Sequence, residues 1–298
     1  MAILDTGALN LPAHIASNMF EQVTEGSSVA VLSGQQPMKF GEHQSFTFSL
    51  GEAEFVGEGQ QKSSTDFESR TRTVKPYKAQ ITFRYNEEVK WASEDYQLSV
   101  LNDLSSQMAP KLARALDFGI FHGISPLQGT AFTGITEHLS QTTNSVTAGA
   151  DKLADMDAAE ALVVADGGIP NGLALDPGYA VGFRSLRDDQ RRRIFPDFNM
   201  TVAPSNVDGF RASVNETVGG GAVVAGGTGI NAFAGDFSKI YWGVQKNVGL
   251  HMIEYGDPDG QGDLQRNNQI ALRAEVVYGW AIFDLDSFAK IVPAGGGD

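Results

Sequence analysis

The stretch most suggestive of ligand chemistry is a glycine-rich run from Val218 to Gly229, which reads VGGGAVVAGGTG. Backbone N–H groups in such a run can hold phosphate, but a Walker-type loop also needs a lysine, and none lies here. A dinucleotide-binding turn needs the spacing GxGxxG, which would require a glycine in place of Val224. The run is therefore predicted to be a flexible hairpin loop, and replacing 219–221 by alanine is expected to cost little stability. Its glycines are Gly219, Gly220, Gly221, Gly226, Gly227 and Gly229.

A second stretch, from Asp257 to Asp263, places oxygen-bearing side chains at alternate positions, as calcium loops do. The position at which calcium loops carry a bidentate glutamate is Asn268, and no flanking helices are predicted, so a turn between strands is favoured. The chain has no cysteine, and its five histidines never fall four apart on one helix. Neither HExxH nor GxSxG occurs. No metal site, cofactor or catalytic residue is predicted.

Five arginines crowd into ten positions: Arg184, Arg187, Arg191, Arg192 and Arg193. Such a cluster could bind an anion or a nucleic acid, but no aromatic residues are interleaved with it, and Asp188 and Asp189 dilute its charge. The whole chain has 22 basic and 36 acidic residues and a net charge of −14, so on average it repels a DNA backbone. Salt bridges between subunits, or a solvated loop, are the favoured interpretations.

The elements that position these residues follow from the spacing of apolar side chains. Apolar and polar residues alternate over 46–50 and again over 81–85, which predicts two half-buried strands. Between them, residues 57–73 form a long polar excursion with mixed charges, so the two strands are predicted to form a protruding β-arm. Because a two-stranded ribbon is marginally stable alone in water, a neighbouring subunit is the natural surface for it to lie on.

Helical spacing of apolar residues predicts one long helix over 93–122, which Pro110 should bend or divide. Together with the strands, this predicts an α+β fold with a mixed or antiparallel sheet. The remaining predicted helices lie at 9–24, 151–165 and 179–189. The remaining predicted strands lie at 29–32, 172–175, 210–214, 232–233, 240–244, 248–255 and 269–278.

The composition of the chain limits the class of protein and the number of domains that it can form. The chain has 298 residues, of which 42% are hydrophobic and 19% charged, as expected for one large globular domain or two intimate ones. Without cysteine there are no disulfides. No stretch resembles a signal peptide or approaches the length of a membrane span, so cytoplasmic synthesis is expected.

Several short motifs occur in a recognisable order along the chain. LPAHIA, FVGEG and KPYKAQITF come first, then ALDFGIFHG at the end of the long helix. GDFSKIYWG, NQIALRAE and GWAIFDLDSFAK follow in the C-terminal part. Over nearly the whole chain this arrangement resembles the major capsid proteins of tailed bacteriophages with the HK97-type fold.

The resemblance implies four regions: an N-terminal arm (1–43), an extended E-loop (44–85), a peripheral domain with a long spine helix (86–125 and 236–298) and an axial domain (126–235). The glycine-rich run would then lie in a loop at the capsomer centre. The E-loop would lie over an adjacent subunit. Its expected contact residues are Phe55, Glu58, Lys62, Asp66, Phe67, Glu68, Arg70 and Arg72.

The implied function is self-assembly into pentamers and hexamers of an icosahedral phage head that encloses double-stranded DNA, without catalysis. Expected partners are further copies of the chain, a separate scaffolding protein, a portal and decoration proteins; DNA lies nearby without specific binding, and no membrane is involved. The expected location is the virion capsid, assembled in the bacterial host cytoplasm. Lys62 lies where some members cross-link, but the partner residues are not matched, so non-covalent contacts are expected.

Two alternatives remain at this stage. One is an encapsulin, a nanocompartment shell of the same fold. The other, from a different class, is a nucleotide-binding α/β enzyme that uses the glycine-rich run.

Overall fold

The computed structural model describes residues 25–50, 53, 55, 56, 58, 60, 61, 64, 67–91, 94–221 and 223–295. The α-helices that lie wholly among these residues are α1 (Ser28–Leu32), α2 (Glu94–His122), α3 (Lys152–Ala165), α4 (Pro177–Ser185) and α5 (Glu216–Gly219). The strands are β1 (His43–Leu50), β2 (Phe67–Asn86), β3 (Ile124–Ser125), β4 (Thr130–Ala131), β5 (Ser145–Thr147), β6 (Gly172–Leu175), β7 (Ser205–Val207), β8 (Phe210–Val214), β9 (Ala232–Gly235), β10 (Ile240–Ile253), β11 (Gln269–Ile282) and β12 (Phe288–Val292).

One sheet has its strands in the order β1-β2-β11-β10, all antiparallel. The long strand β2 changes partner along its length: residues 67–74 pair with β1, and residues 75–86 pair with β11. Helix α2 packs on the second part of this sheet, where the Tyr278 hydroxyl donates to the Leu112 carbonyl oxygen at 3.0 Å. We call β1 together with residues 67–74 the ribbon.

The second sheet has six strands in the order β5-β12-β9-β6-β8-β7 and is mixed, because β5 runs parallel to β12 and β6 parallel to β8. Helices α3 and α4 bury their apolar sides in one hydrophobic cluster with residues of this sheet. Asp151 caps α3 by accepting from the backbone N–H of Leu153 at 3.0 Å. The other hydrophobic cluster joins α2 to this sheet, and in it Phe121 stacks on Phe233 with ring centroids 5.2 Å apart.

The segment 29–32, predicted as a strand, belongs instead to helix α1. The Ser27 hydroxyl oxygen accepts from the Ala30 N–H at 3.1 Å, which caps the helix. The Asp117 carboxylate of α2 accepts from the backbone N–H of Val29 at 3.1 Å. A helix leaves its first N–H groups without intrahelical partners, and a carboxylate distant in sequence satisfies them here. The hydrogen bonds from Ser27 and Asp117 to the start of the helix outweigh the strand propensity of the valines.

The long predicted helix is confirmed, but Pro110 does not divide it, since α2 runs from Glu94 to His122 as one element. Pro110 is exposed, whereas Met108, Ala109 and Leu112 are buried. The packed side of the helix therefore holds it together across the missing backbone hydrogen bond.

The other sequence predictions fare unevenly. The helix at 151–165 and the strands at 172–175 and 210–214 are confirmed within one residue. The two strands predicted within 240–255 form a single strand, β10, with irregular pairing between Val244 and Gly249. The helix predicted at 9–24 lies outside the described residues.

Candidate assembly surfaces

The predicted E-loop contacts lie along the ribbon and its connection. Phe55 and Glu58 are exposed, and the Phe55 side chain is as open as in an extended peptide, at 107%. Arg72 forms an ion pair with Glu137 of its own chain, with 2.9 Å between Nη1 and Oε1. Three others lie on β2, namely Phe67, Glu68 and Arg70, and two fall outside the described residues, namely Lys62 and Asp66. Their contacts with another subunit stay a prediction.

A cavity of about 360 Å³ lies at the base of the ribbon. Its wall includes Glu42, Arg72, Lys75 and Glu137. Tyr77 also lines it, and its ring stacks on a second lining residue, Trp280, at 4.0 Å between centroids. Burial, with added repulsion from Glu137 and Glu42, raises the pKa of Tyr77. The mixture of charged groups makes this a polar recess, unlike the apolar clefts that bind most small molecules.

The arginine-rich loop that follows α4 folds back on itself. Nη1 of Arg187 donates to the carbonyl oxygens of Arg184 and Leu186, both at 3.0 Å. Arg192 forms an ion pair with Asp188 at 2.8 Å, and within the described residues it is the only one of the five arginines with a carboxylate partner. All five arginines are exposed, so their cationic groups are accessible to another molecule. They are Arg184, Arg187, Arg191, Arg192 and Arg193.

The glycine-rich run connects α5 to β9 through a closed turn. Gly220 ends α5 in the left-handed conformation, with φ 67°. The backbone N–H of Thr228 donates to the Gly219 carbonyl oxygen at 2.8 Å, and its hydroxyl donates to the Val218 carbonyl oxygen at 3.1 Å. The helix precedes the run and a strand follows it, which is the reverse of a dinucleotide-binding turn. The positive-φ glycines in the turn are Gly220, Gly226, Gly227 and Gly229.

The expectation that alanine would be tolerated at all of Gly219–Gly221 is wrong. A Cβ built on Gly219 would lie 2.2 Å from Oδ1 of Asp176, which is far closer than any real contact. Gly221 by contrast has open space around it. Close approach of the loop to α4, which the sequence alone does not reveal, sets this difference.

A buried carboxylate ties three distant segments together, and the sequence interpretation missed it. Asp117 has no exposed surface, and its oxygens accept from the hydroxyls of Ser27 at 2.5 Å and Thr217 at 2.8 Å. They also accept from the Ser28 and Val29 N–H groups and from Nδ2 of Asn215, at 3.0 to 3.1 Å. Burial raises the pKa of Asp117, and the hydrogen bonds oppose that rise. We call these six residues the junction. An aspartate inside the apolar run ALDFGIF was the available signal.

His122 joins the end of α2 to the same region. Its Nε2–H donates to the carbonyl oxygens of Thr217 and Val218, at 3.1 and 3.0 Å. The side chain is buried, and this burial lowers its pKa to about 4. His122 is therefore neutral at pH 7 and acts as a structural link between α2 and α5.

The calcium-like loop holds a cation supplied by its own chain. The Arg84 guanidinium on β2 donates to both carboxylate oxygens of Asp259, to Asp257 and to the Gly262 carbonyl oxygen, with the Asp257 and Gly262 bonds both 2.9 Å long. The carboxylate of Asp259, with a further contribution from Asp257, raises the pKa of Arg84, and Arg84 lowers the pKa of Asp259. The loop connects β10 to β11, so the predicted turn between strands is confirmed. The guanidinium occupies the centre of the loop, where a calcium ion would have to bind.

Two absences hold for the described residues. No group of three or more His, Cys, Asp or Glu side chains there could hold a metal ion. No helix in this part of the chain is long and apolar enough to cross a bilayer.

Comparison with known proteins gives consistent matches. The model of the phage capsid family matches residues 7–292. A curated relative from Mycobacterium phage D29, "Probable major capsid protein gp17", is 25% identical over 262 residues, which cover 83% of this chain and 78% of the relative.

Solved structures from phages share the fold. A chain from Mycobacterium phage Ogopogo is 39% identical, covers 90% of this chain and 92% of its own length, and superposes with a TM-score of 0.75. A chain from Gordonia phage Cozz is 29% identical, with coverages of 90% and 87% and a TM-score of 0.71. At 13% identity, the capsid of an empty GTA particle computed with C5 symmetry shows the same fold, with coverages of 91% and 90% and a TM-score of 0.62.

Proposed function

Because this chain belongs to the phage capsid family and is a major capsid protein of a phage head, we propose that its copies form the pentamers and hexamers of an icosahedral shell around double-stranded DNA. The α+β, HK97-type fold and the structural role predicted from the sequence are confirmed. The chain is a homo-oligomer of the virion capsid. The observation that supports the closed shell best is the family match across both sheets and α2. The similar fold of a chain from the capsid of an empty GTA particle, computed with C5 symmetry, also supports it.

We assign the ribbon and its connection to the E-loop, α2 and the four-stranded sheet to the peripheral domain, and the six-stranded sheet to the axial domain. Two boundaries differ from the sequence expectation. Residues 75–85 of β2 pair with β11, so they go with the peripheral domain rather than with the E-loop. Strand β12 pairs with β9 and β5, so residues 288–292 go with the axial domain rather than with 236–287. The N-terminal arm keeps the limits 1–43.

Contacts between copies are proposed at three places. The E-loop residues Phe55 to Arg72 lie on an adjacent subunit, and the arginines between 184 and 193 pair with acidic groups of a neighbour. The glycine-rich run lies at the capsomer centre. The support is the exposure of Phe55, Glu58 and the five arginines and, for the glycine-rich run, its position in a surface turn between α5 and β9.

The remaining parts of the proposal concern chemistry and partners. The chain acts without catalysis, and it assembles in the bacterial host cytoplasm with a separate scaffolding protein, a portal and decoration proteins. Its net charge of −14 supports a wall that lies near DNA without adhering to it.

Electron microscopy and light scattering of the purified native chain test the shell directly. Uniform closed particles, with pentameric and hexameric units resolved in averaged images, are the expected result. A chain that stays a monomer or dimer under every assembly condition would refute the proposal.

A further inference from the structure

An aspartate or asparagine precedes a glycine at four places in the chain: Asp166–Gly167, Asn171–Gly172, Asp208–Gly209 and Asp259–Gly260. In such a pair the glycine nitrogen can approach the side-chain carbonyl carbon, because glycine has no Cβ to hinder it. Attack by that nitrogen closes a five-membered ring, so each pair is a candidate site for isomerisation of the backbone. The surroundings of the four pairs differ, and they determine which pair is free to react.

Arg84 holds the side chain of Asp259. Its guanidinium donates to both carboxylate oxygens, and the Gln261 N–H donates to Oδ1 at 3.3 Å. Arg84 also lowers the pKa of Asp259, which keeps the carboxylate ionised. Ring closure needs the neutral carboxyl group, whose hydroxyl leaves as water, so this pair is protected through its side chain.

Asn171 is held where β6 begins. Its Nδ2 donates to Oδ1 of Asp236 at 2.6 Å, and its Oδ1 accepts from the Phe237 N–H at 3.0 Å. Gly172 lies between β8 and β9 in the six-stranded sheet. The hydrogen bonds of the amide and the pairing of the glycine must both be disturbed before a ring can close.

Asp166 is held where α3 ends. Its Oδ2 accepts from Nδ2 of Asn144 at 2.8 Å. The N–H of Gly167 donates to the Val164 carbonyl oxygen at 3.0 Å, so the attacking nitrogen is engaged as well. In this pair the structure restrains both of the reacting groups.

Asp208 and Gly209 have none of these restraints. They form the two-residue turn between β7 and β8, with φ of 48° and 87°, and Val207 pairs with Phe210 across it. Both residues are exposed, and in the described part of the chain neither the Asp208 carboxylate nor the Gly209 N–H has a hydrogen-bond partner. A Cβ built on Gly209 would meet nothing within 4 Å, so there is space for a ring.

We infer that the bond between Asp208 and Gly209 is the site at which this chain isomerises from an α-linked to a β-linked aspartate. The Gly209 nitrogen attacks Cγ of the protonated Asp208 side chain. The N–Cγ bond forms, the C–OH bond breaks, and the hydroxyl leaves as water with the proton of the nitrogen. Water then adds to the α-carbonyl carbon of the ring and breaks its bond to the nitrogen. The product has a free α-carboxylate and one more backbone carbon, with no net change in composition.

Two features of the turn favour this change and confine its effect. The left-handed conformation of Asp208 is disfavoured for an L-residue, and a β-linked residue, with one more rotatable bond, no longer has to adopt it. Strand β7 is an edge strand that pairs only with β8, so a longer turn disturbs one pairing and leaves the rest of the sheet in place. The inference does not depend on shell formation.

The test follows oxygen exchange, because opening of the ring takes one oxygen atom from water. The folded full-length chain is incubated in heavy-oxygen water, digested in ordinary water and analysed by mass spectrometry. Chromatography and electron-transfer fragmentation distinguish β-linked from α-linked aspartate. Peptides that contain the other three pairs are internal controls, and the urea-unfolded chain gives the reactivity of all four pairs without structure.

In the folded chain, heavy oxygen and β-linked aspartate should accumulate at residue 208 about tenfold faster than at the other three pairs, since a hydrogen bond that must first break slows a step by about that factor. In the unfolded chain the three aspartates should react at similar rates. Asp208→Asn should react faster still, with ammonia as the leaving group. Asp208→Gly, which suits the left-handed position, should give no product at this turn.

Two outcomes would overturn the inference. One is equal reaction at the four pairs of the folded chain, or reaction chiefly at a pair other than Asp208–Gly209. The other is no product at residue 208 over a time in which the unfolded chain reacts, which would mean that the turn keeps the glycine nitrogen away from the side chain.

Discussion

The junction around Asp117 and the ribbon differ in where their interaction partners lie. At the junction, a carboxylate with no exposed surface accepts hydrogen bonds from five groups, all of the same chain. Strand β1 makes its main contacts with β2, and Phe55, in the connection beyond the ribbon, is fully exposed. The junction therefore stabilises the subunit, whereas the ribbon should contribute to stability chiefly after assembly. Changes at the two regions should separate subunit stability from shell formation.

The largest loss of subunit stability is expected from Asp117→Ala. The substitution leaves buried donors of Ser27, Val29 and Thr217 without partners and should cost about 3 to 5 kcal/mol of unfolding free energy. Urea unfolding measures the loss. Asp188→Ala, which removes an exposed ion pair, is the matched control and should change stability by less than about 1 kcal/mol. Equal effects of the two changes would contradict the assigned role of the junction.

The second-largest loss of subunit stability is expected at low pH, through the protonation of His122. The pKa of His122 is lowered to about 4 in the folded chain, while the unfolded chain has an ordinary histidine. Between these pKa values the unfolded state binds a proton that the folded state does not, so stability falls as pH drops from about 6.5 to about 4, by up to about 3 kcal/mol. Burial and Lys290 lower the pKa of His138 as well, which acts in the same direction.

Unfolding midpoints across this pH range test the assignment to His122. A His122→Gln chain should show a flatter pH dependence than the wild type. An unchanged slope would exclude His122 as the main titrating group.

A smaller cost is expected where the glycine-rich run meets α4. Gly219→Ala forces a methyl group against Asp176 and should destabilise the subunit by about 1 to 3 kcal/mol. Gly221→Ala, which meets open space, should be nearly neutral. Thermal unfolding measures the stabilities of the two variants. Equal stabilities would mean that the close approach of Gly219 to Asp176 does not limit the residue at this position.

The smallest effect on the subunit should come from the tip beyond the ribbon. Phe55→Ser replaces a fully exposed side chain and should change unfolding free energy by no more than about 0.5 kcal/mol. A loss comparable to that of Asp117→Ala would mean that the ribbon connection packs within its own subunit. The contrast between the two regions would then fail.

Local spacing predicted much of this fold, and its failures share a cause. Alternation predicted β8 and helical periodicity predicted α3, because each pattern involves residues that are only a few positions apart in the sequence. Helix α1 was predicted as a strand because its stabilising carboxylate lies 88 residues away. The groups of the calcium-like loop that accept from Arg84 lie 173 to 178 residues further along the chain, so the sequence gave no sign that this loop holds a cation. Local sequence patterns do not reveal such pairings, because the residues come together only when the chain folds.

The sites of assembly were accessible to sequence reasoning only in outline. Alternation over 46–50 revealed the strand, but the face it shares with Phe67 depends on register, which the long connection leaves undetermined. The sequence likewise did not reveal that the Arg187 side chain donates to the carbonyl oxygens of Arg184 and Leu186 within its own loop.

The junction also bears on the order in which the chain can fold. Asp117 lies 90 residues after Ser27 and 100 residues before Thr217, so its hydrogen bonds close long loops. Contacts at such separation form slowly, because the entropy of closing the loop is lost before any bond is gained. During synthesis, the bonds of this carboxylate to Asn215 and Thr217 cannot form until those residues have emerged from the ribosome. Nearly three quarters of the chain is therefore made before this centre can close.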